Sequence, residues 1–226
     1  MFVNRIVPVV VASAGLLCVV GAASAAPVTM TLNSVNPKVN VSTSRNGGSS
    51  WQTLSAGRFN WNGAITNPVG LQGGFAAFCI ELTQSVSVGS TYSSYEAIQL
   101  AAAPQPAASP YAPMGVDDAR RISDLWEKHY SSLTTANDFA AFQLCIWEIV
   151  YDSGEDLSSG NFRMRNNNTV KNLGQSWLDG INDNAPIASY LYALSHPNKQ
   201  DMLVPTPGAA GLMALGGVVA VRRKRK

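Results

Sequence analysis

Apolar and polar side chains alternate along residues 28–35 (VTMTLNSV) and 38–43 (KVNVST), the two-residue period of strands with one buried face. Residues 46–50 (NGGSS) read as a turn, and the widely spaced apolar residues from Trp51 to Trp61 predict two short strands. Gly70 to Gly74 reads as loop. The unbroken run Phe75 to Leu82 suits a buried strand, and Ser85 to Tyr95 alternates again. Four prolines between 103 and 114 then interrupt the chain, and the period changes. Ile122, Leu125, Trp126 and Tyr130 recur at helical spacing over 117–130. Residues 137–152 predict a second helix, N-capped by Asn137 with Asp138 in its first turn. Its apolar residues leave almost no polar side, so it should be buried nearly all round. A third helix is expected over 168–181, with strand returning at 190–194 and 200–204. Strands, helices, then strand imply an α+β fold: a β-sandwich or barrel with a helical insertion. The β-rich part spans 26–103, the helical part 114–182 and the returning strand 188–204.

Both ends of the 226-residue chain read as addresses. Arg5, the apolar stretch Ile6 to Val20 and Ala23-Ser24-Ala25 have the layout of a secretory signal over residues 1–25. At the other end, Gly208 to Val221 carries no charge and five cations follow. A helix of that length rises ~21 Å, short of a ~30 Å hydrocarbon core, so it predicts a hydrophobic C-terminal helix anchored weakly at most. The two ends hold six of the sixteen cations. Between them, ten cations face fourteen acids, a net −4. The basic pI is therefore no nucleic-acid footprint, and that class of partner is set aside.

Two motifs carry family resemblances. Val204, Pro205 and Pro207, the short apolar helix and the terminal cluster with Arg222 and Arg223 resemble the PEP-CTERM sorting tail, with Thr206 where that family usually has Glu. The resemblance covers 204–226. It implies an exosortase-type partner, transient attachment to the membrane, and an exported protein of the cell envelope, outer surface or extracellular matrix. Phe78-Cys79-Ile80-Glu81 and Gln143-Leu144-Cys145-Ile146-Trp147 resemble the paired motifs of bacterial surface thioester (TQXA-type) domains, over about 75–152. Phe142 and Cys145 depart from the small residues usual at their positions. The resemblance implies an internal thioester between the Cys79 sulfur and the Gln143 acyl carbon, with Phe78 and Trp147 supporting the site. No cofactor is implied. The expected role is single-use covalent attachment to a surface or matrix partner bearing an amine or hydroxyl, and not enzymatic turnover.

The same cysteines leave an alternative open. Cys18 departs with the signal, so the exported part holds Cys79 and Cys145 alone. An even pair in an oxidising compartment has a default reading as one disulfide, worth ~4 kcal/mol for a loop of this length. The protein would then be a structural or interaction protein associated with exopolysaccharide. Helical geometry bears on the choice. Gln143 shares a face with Phe139, Ile146, Trp147 and Val150, whereas Cys145 lies about 200° further round. A carboxamide in an apolar stripe needs hydrogen-bond partners, or it costs ~1–3 kcal/mol. A third reading is a hydrolase using Glu81 or Glu148, against the plainer one of ordinary charged residues. His129 and His196 match no metal-ligand spacing.

Overall fold

The computed structural model describes residues 28–65, 69–105, 112–152 and 156–206. The signal segment 1–25 and tail residues Pro207, Arg222 and Arg223 lie outside the described residues. The fold is α+β. Strands β1 (Val28–Ser44), β2 (Gln52–Ile65), β3 (Leu71–Cys79) and β4 (Thr91–Gln99) come first. Helices α1 (Gly115–His129) and α2 (Ala136–Tyr151), the short strand β5 (Arg163–Arg165) and helix α3 (Asn168–Leu178) follow. Strands β6 (Leu191–Ser195) and β7 (Met202–Pro205) end the described chain. The antiparallel sheet runs β2-β3-β7-β6-β4-β1-β5, and β1 also pairs with β2, so six strands form a closed circuit. All three helices are inserted between β4 and β6. None of the helices among the described residues is long and apolar enough to cross a membrane.

The alternation at the start of β1 places Val28, Met30 and Leu32 in the core. Beyond a bulged region, the same strand continues to Ser44 against β2. At that irregularity the two backbones nearly touch: a Cβ on Gly57 would lie 2.2 Å from the Pro37 carbonyl oxygen. The two short strands expected over Trp51 to Trp61 are one strand. The loop expected at Gly70 to Gly74 is also strand from Leu71 onward, because its peptide groups complete the ladder with Ile65 to Asn62. Residues 80–82 leave the sheet, and strand resumes only at Thr91.

Helix α2 is buried from Phe139 to Tyr151. It packs on β1, β2 and β3 as well as on α1 and α3. Its start differs from the expected one. The N-cap is Thr135, whose hydroxyl accepts the Asp138 N–H at 3.2 Å while the Asp138 carboxylate accepts the Thr135 N–H at 2.7 Å. A reciprocal capping box satisfies two otherwise orphaned donors, which a cap at Asn137 would not do. Helix α1 carries Asp117 and Asp118 in its first turn and Lys128 and His129 in its last, both matched to the helix dipole. Beneath the helices lies an aromatic cluster. The Phe142 ring centroid is 4.8 Å from Phe78, 5.6 Å from Trp126 and 6.5 Å from Trp177.

Because Phe142 is fully buried among these rings, Phe142→Ala should cost about 3–5 kcal/mol of unfolding free energy. Urea or guanidinium titration reads this directly. A cost under about 1 kcal/mol would show that the cluster is not packed as described.

Candidate functional site

The ladder between β2 and β3 stops at Phe59–Ala77, two residues before β3 ends. Phe78 and Cys79 pair on the other side with Leu203 and Met202 of β7. Cys79 thus reaches the strand end with peptide groups that β2 does not take. The Gln143 carboxamide takes them. Its Oε1 accepts the Cys79 N–H at 2.9 Å, and its Nε2 donates to the Cys79 carbonyl at 2.7 Å. Both residues have no exposed surface. The partners that a carboxamide in an apolar helix requires are therefore the main chain of the cysteine itself.

The side chain of Cys79 sits in a ring of polar groups. Its thiol donates to the Glu81 carbonyl at 2.6 Å, and the sulfur accepts the Glu81 N–H at 3.4 Å. Gln200, in the turn before β7, donates from Nε2 to the sulfur at 3.3 Å and to the Glu81 carbonyl at 3.1 Å. Burial pushes the Cys79 thiol up to about 12, opposed by the Glu81 main chain and the Trp147 indole, so it is a thiol at neutral pH. Phe78, the residue before it, points into the aromatic cluster and braces the end of β3. Trp147 lies one turn beyond Gln143 on the same face and is 1 % exposed.

Cys145 is directed elsewhere. Its thiol donates to the Gly174 carbonyl of α3 at 3.2 Å, on the side of α2 away from the Gln143 contacts with β3. Neither Cys79 nor Cys145 forms a disulfide. The half-turn offset between Gln143 and Cys145 thus gives β3 the carboxamide and α3 the sulfur.

Glu81 and Glu148 have separate surroundings. Glu148 Oε1 accepts the Asp156 N–H at 3.0 Å beyond the end of α2. Glu81 accepts from the Thr83 hydroxyl and lines a cavity of ≈ 260 Å³ with Asp201, Ser195 and His196. Burial raises the Glu81 carboxyl above its ordinary range. It raises Asp201 to about 7, with the Glu81 charge adding to the effect. Asp201 accepts the His196 N–H at 2.7 Å and bonds the Ser195 hydroxyl at 3.1 Å. His129 stacks on Trp177 at 4.6 Å between ring centroids, and His196 packs against Tyr95. No cluster suited to a metal ion exists among the described residues.

Val204 and Pro205, grouped by sequence with the tail, are part of β7 and pair with Tyr192 and Leu191. Sequence reasoning missed Gln200 and Asp201. The stretch 200–204 read only as strand, and nothing in its pattern marks two polar residues meeting β3 more than a hundred positions away. No protein family, curated protein or solved structure matches this chain.

Arranged this way, the fully buried site holds the Gln143 carboxamide on the main chain of the residue that carries the thiol. The Cys79 N–H already points at Oε1, the oxygen that would gather charge if a nucleophile added to the carboxamide carbon.

The raised Asp201 carboxyl makes a pH prediction. The native state keeps its proton up to about pH 7, whereas the unfolded chain releases it near pH 4. Native protein therefore binds more protons across that interval, and stability falls as pH rises through it. Asp201→Asn keeps the acceptor for His196 without the charge. Its unfolding free energy, read by urea titration, should exceed that of the wild type at pH 8 by roughly 1–3 kcal/mol and converge with it near pH 4. A variant less stable than wild type at pH 8 would contradict the assignment.

Proposed function

We propose that this domain is a covalent tether whose reactive group is a thioester between Cys79 and Gln143. The observation that carries the reading is the pair of hydrogen bonds joining the Gln143 carboxamide to the Cys79 main chain in a fully buried site. The likeness of Phe78 to Glu81 and of Gln143 to Trp147 to the thioester-domain motifs supports it independently. The Cys145 thiol donates to the Gly174 carbonyl of α3, which favours the thioester over a Cys79–Cys145 disulfide. The closed strand circuit with its helical insertion supports the barrel form of the expected architecture.

The chemistry balances within the chain. The Cys79 sulfur adds to the Gln143 carbonyl carbon, and charge gathering on Oε1 is held by the Cys79 N–H. The C–N bond breaks, the thiol proton passes to the departing nitrogen, and ammonia leaves. Burial then shields the stored acyl group from hydrolysis. A partner amine or hydroxyl later attacks the same carbon and loses its proton. The C–S bond breaks, and the Cys79 thiol is restored as an amide or ester to the partner forms. The event occurs once per molecule. The signal-like start and the PEP-CTERM-like tail would deliver the domain, through an exosortase-type enzyme, to the cell envelope or its matrix.

Intact-mass measurement of the purified protein tests this. The wild type should weigh one ammonia less than its sequence requires, and Cys79→Ala and Gln143→Ala should each restore the full mass. Methylamine should add to the wild type at Gln143 and leave one alkylatable thiol at Cys79 after denaturation. A full-mass wild type would refute the proposal. A deficit of two hydrogens reversed by reductant would replace it with a disulfide.

A further inference from the structure

The Cys79 sulfur has more N–H groups around it than a resting thiol uses. A thiol donates one weak hydrogen bond and accepts poorly. The Glu81 carbonyl takes the proton, yet the Glu81 N–H at 3.4 Å and Gln200 Nε2 at 3.3 Å both point at the sulfur. The Trp147 indole is a third donor. Its Nε1–H is buried without a hydrogen-bond partner of ordinary geometry, in a side chain only 1 % exposed. It nevertheless faces Cys79 closely enough to favour the thiolate. An unpartnered buried N–H costs ~1–3 kcal/mol, so its retention beside a sulfur calls for a state in which it is used.

That state is the one in which sulfur bears negative charge. We propose that Gln200 and Trp147 are leaving-group donors for the thioester of the preceding section, on which this inference rests. When an incoming lone pair has added to the Gln143 acyl carbon and the C–S bond breaks, its electron pair passes to Sγ. The Gln200 and Trp147 N–H groups hold that thiolate, together with the Glu81 main chain. The thiolate then takes up the proton given up by the nucleophile, and the Glu81 carbonyl again accepts the thiol hydrogen. Preorganised donors matter here because burial makes this sulfur a poor leaving group, its thiol lying at about 12.

The donors also mark the way in. Gln200 and Trp147 line one groove of ≈ 600 Å³ between β1, β2 and the 82–88 loop, with Lys38, Arg45 and Phe59 on its walls. A nucleophile entering this groove meets the two side chains that hold the departing sulfur.

Two amines of different basicity separate this role from a structural one. Methylamine, the far more basic of the two, is expelled from the tetrahedral adduct much more slowly than a weakly basic amine, so its rate is the less sensitive to sulfur departure. A weakly basic amine such as methoxyamine is expelled from the tetrahedral adduct faster than the sulfur, so its rate follows sulfur departure. Gln200→Met and Trp147→Phe keep shape while removing the N–H. Each variant should still lose ammonia. Each should open with methoxyamine at least about tenfold more slowly than wild type, at or below the usual cost of one lost donor to a developing charge, and within about threefold of it with methylamine. Equal slowing with both amines, or slowing with neither, overturns the donor assignment while leaving the thioester intact. A wild-type mass with no ammonia lost overturns both readings. Should Trp147→Phe fail to fold, Gln200→Met at the groove wall decides alone.

Discussion

A fully buried carboxamide on a helix with no polar side cannot be left without partners, and α2 carries one in Gln143. Partners are scarce in such a place, because neighbouring strands usually consume one another's peptide groups. They exist here only because β2 parts from β3 at Ala77 while β3 runs on to Cys79. The carboxamide then acts as a short substitute for the missing strand, giving an acceptor to the Cys79 N–H and a donor to its carbonyl. This exchange fixes the depth and rotation of α2 against the sheet. Moving the helix by one residue would rotate Gln143 away by about 100° and leave polar groups unsatisfied on both elements.

The rotation fixed by Gln143 sets the rest of the helix. Trp147 must fall on the same face one turn later, toward the sulfur and the groove, while Phe142 falls among the rings under α1 and α3. Cys145 is carried round to α3, where the Gly174 carbonyl receives its thiol. The glycine at 174 makes room for Leu157, whose side chain would lie 3.1 Å from a Cβ there, whereas the Cys145 sulfur would be in ordinary contact at 3.5 Å. The second thiol is therefore held by an element that does not contribute to the Cys79 site.

How far the chain could be read from its letters depended on whether a feature leaves a period. The all-round burial of α2 and the alternation of early β1 are periodic, and both were legible. The strand at Leu71 to Gly74 was not, because Gln72, Gly73 and Gly74 are exposed and present no apolar face. Only the ladder with β2 makes them a strand. Asn137 next to an acid resembles a cap in isolation, whereas the reciprocal bond of Thr135 depends on a three-residue spacing. β5 is three residues long, too short for any pattern. Within the candidate site, Cys79 and Gln143 are marked by their motifs and by the oddness of a Gln in an apolar stripe. Gln200 and Asp201 had neither signal; they arrive through the β6–β7 turn, a long-range contact that local sequence does not encode.

The position of this chemistry at the end of a strand, under a helix, reconciles two opposing demands on the proposed tether. A stored acyl group lasts only where water is absent, and both reacting residues are fully enclosed. The same enclosure raises the thiol far above neutral pH and would trap the reaction at the point where charge returns to sulfur. Donors on the sulfur resolve the conflict without admitting water, provided they come from side chains that already form the wall between the site and the groove. Gln200 is well suited by its bonding. Its Nε2 bridges the Cys79 sulfur and the Glu81 carbonyl, and its main-chain carbonyl is anchored by the Tyr95 hydroxyl at 2.9 Å. A residue anchored at its main chain and at its amide nitrogen in this way loses little entropy when it meets a developing thiolate, which is the condition under which a single hydrogen bond contributes most to a reaction.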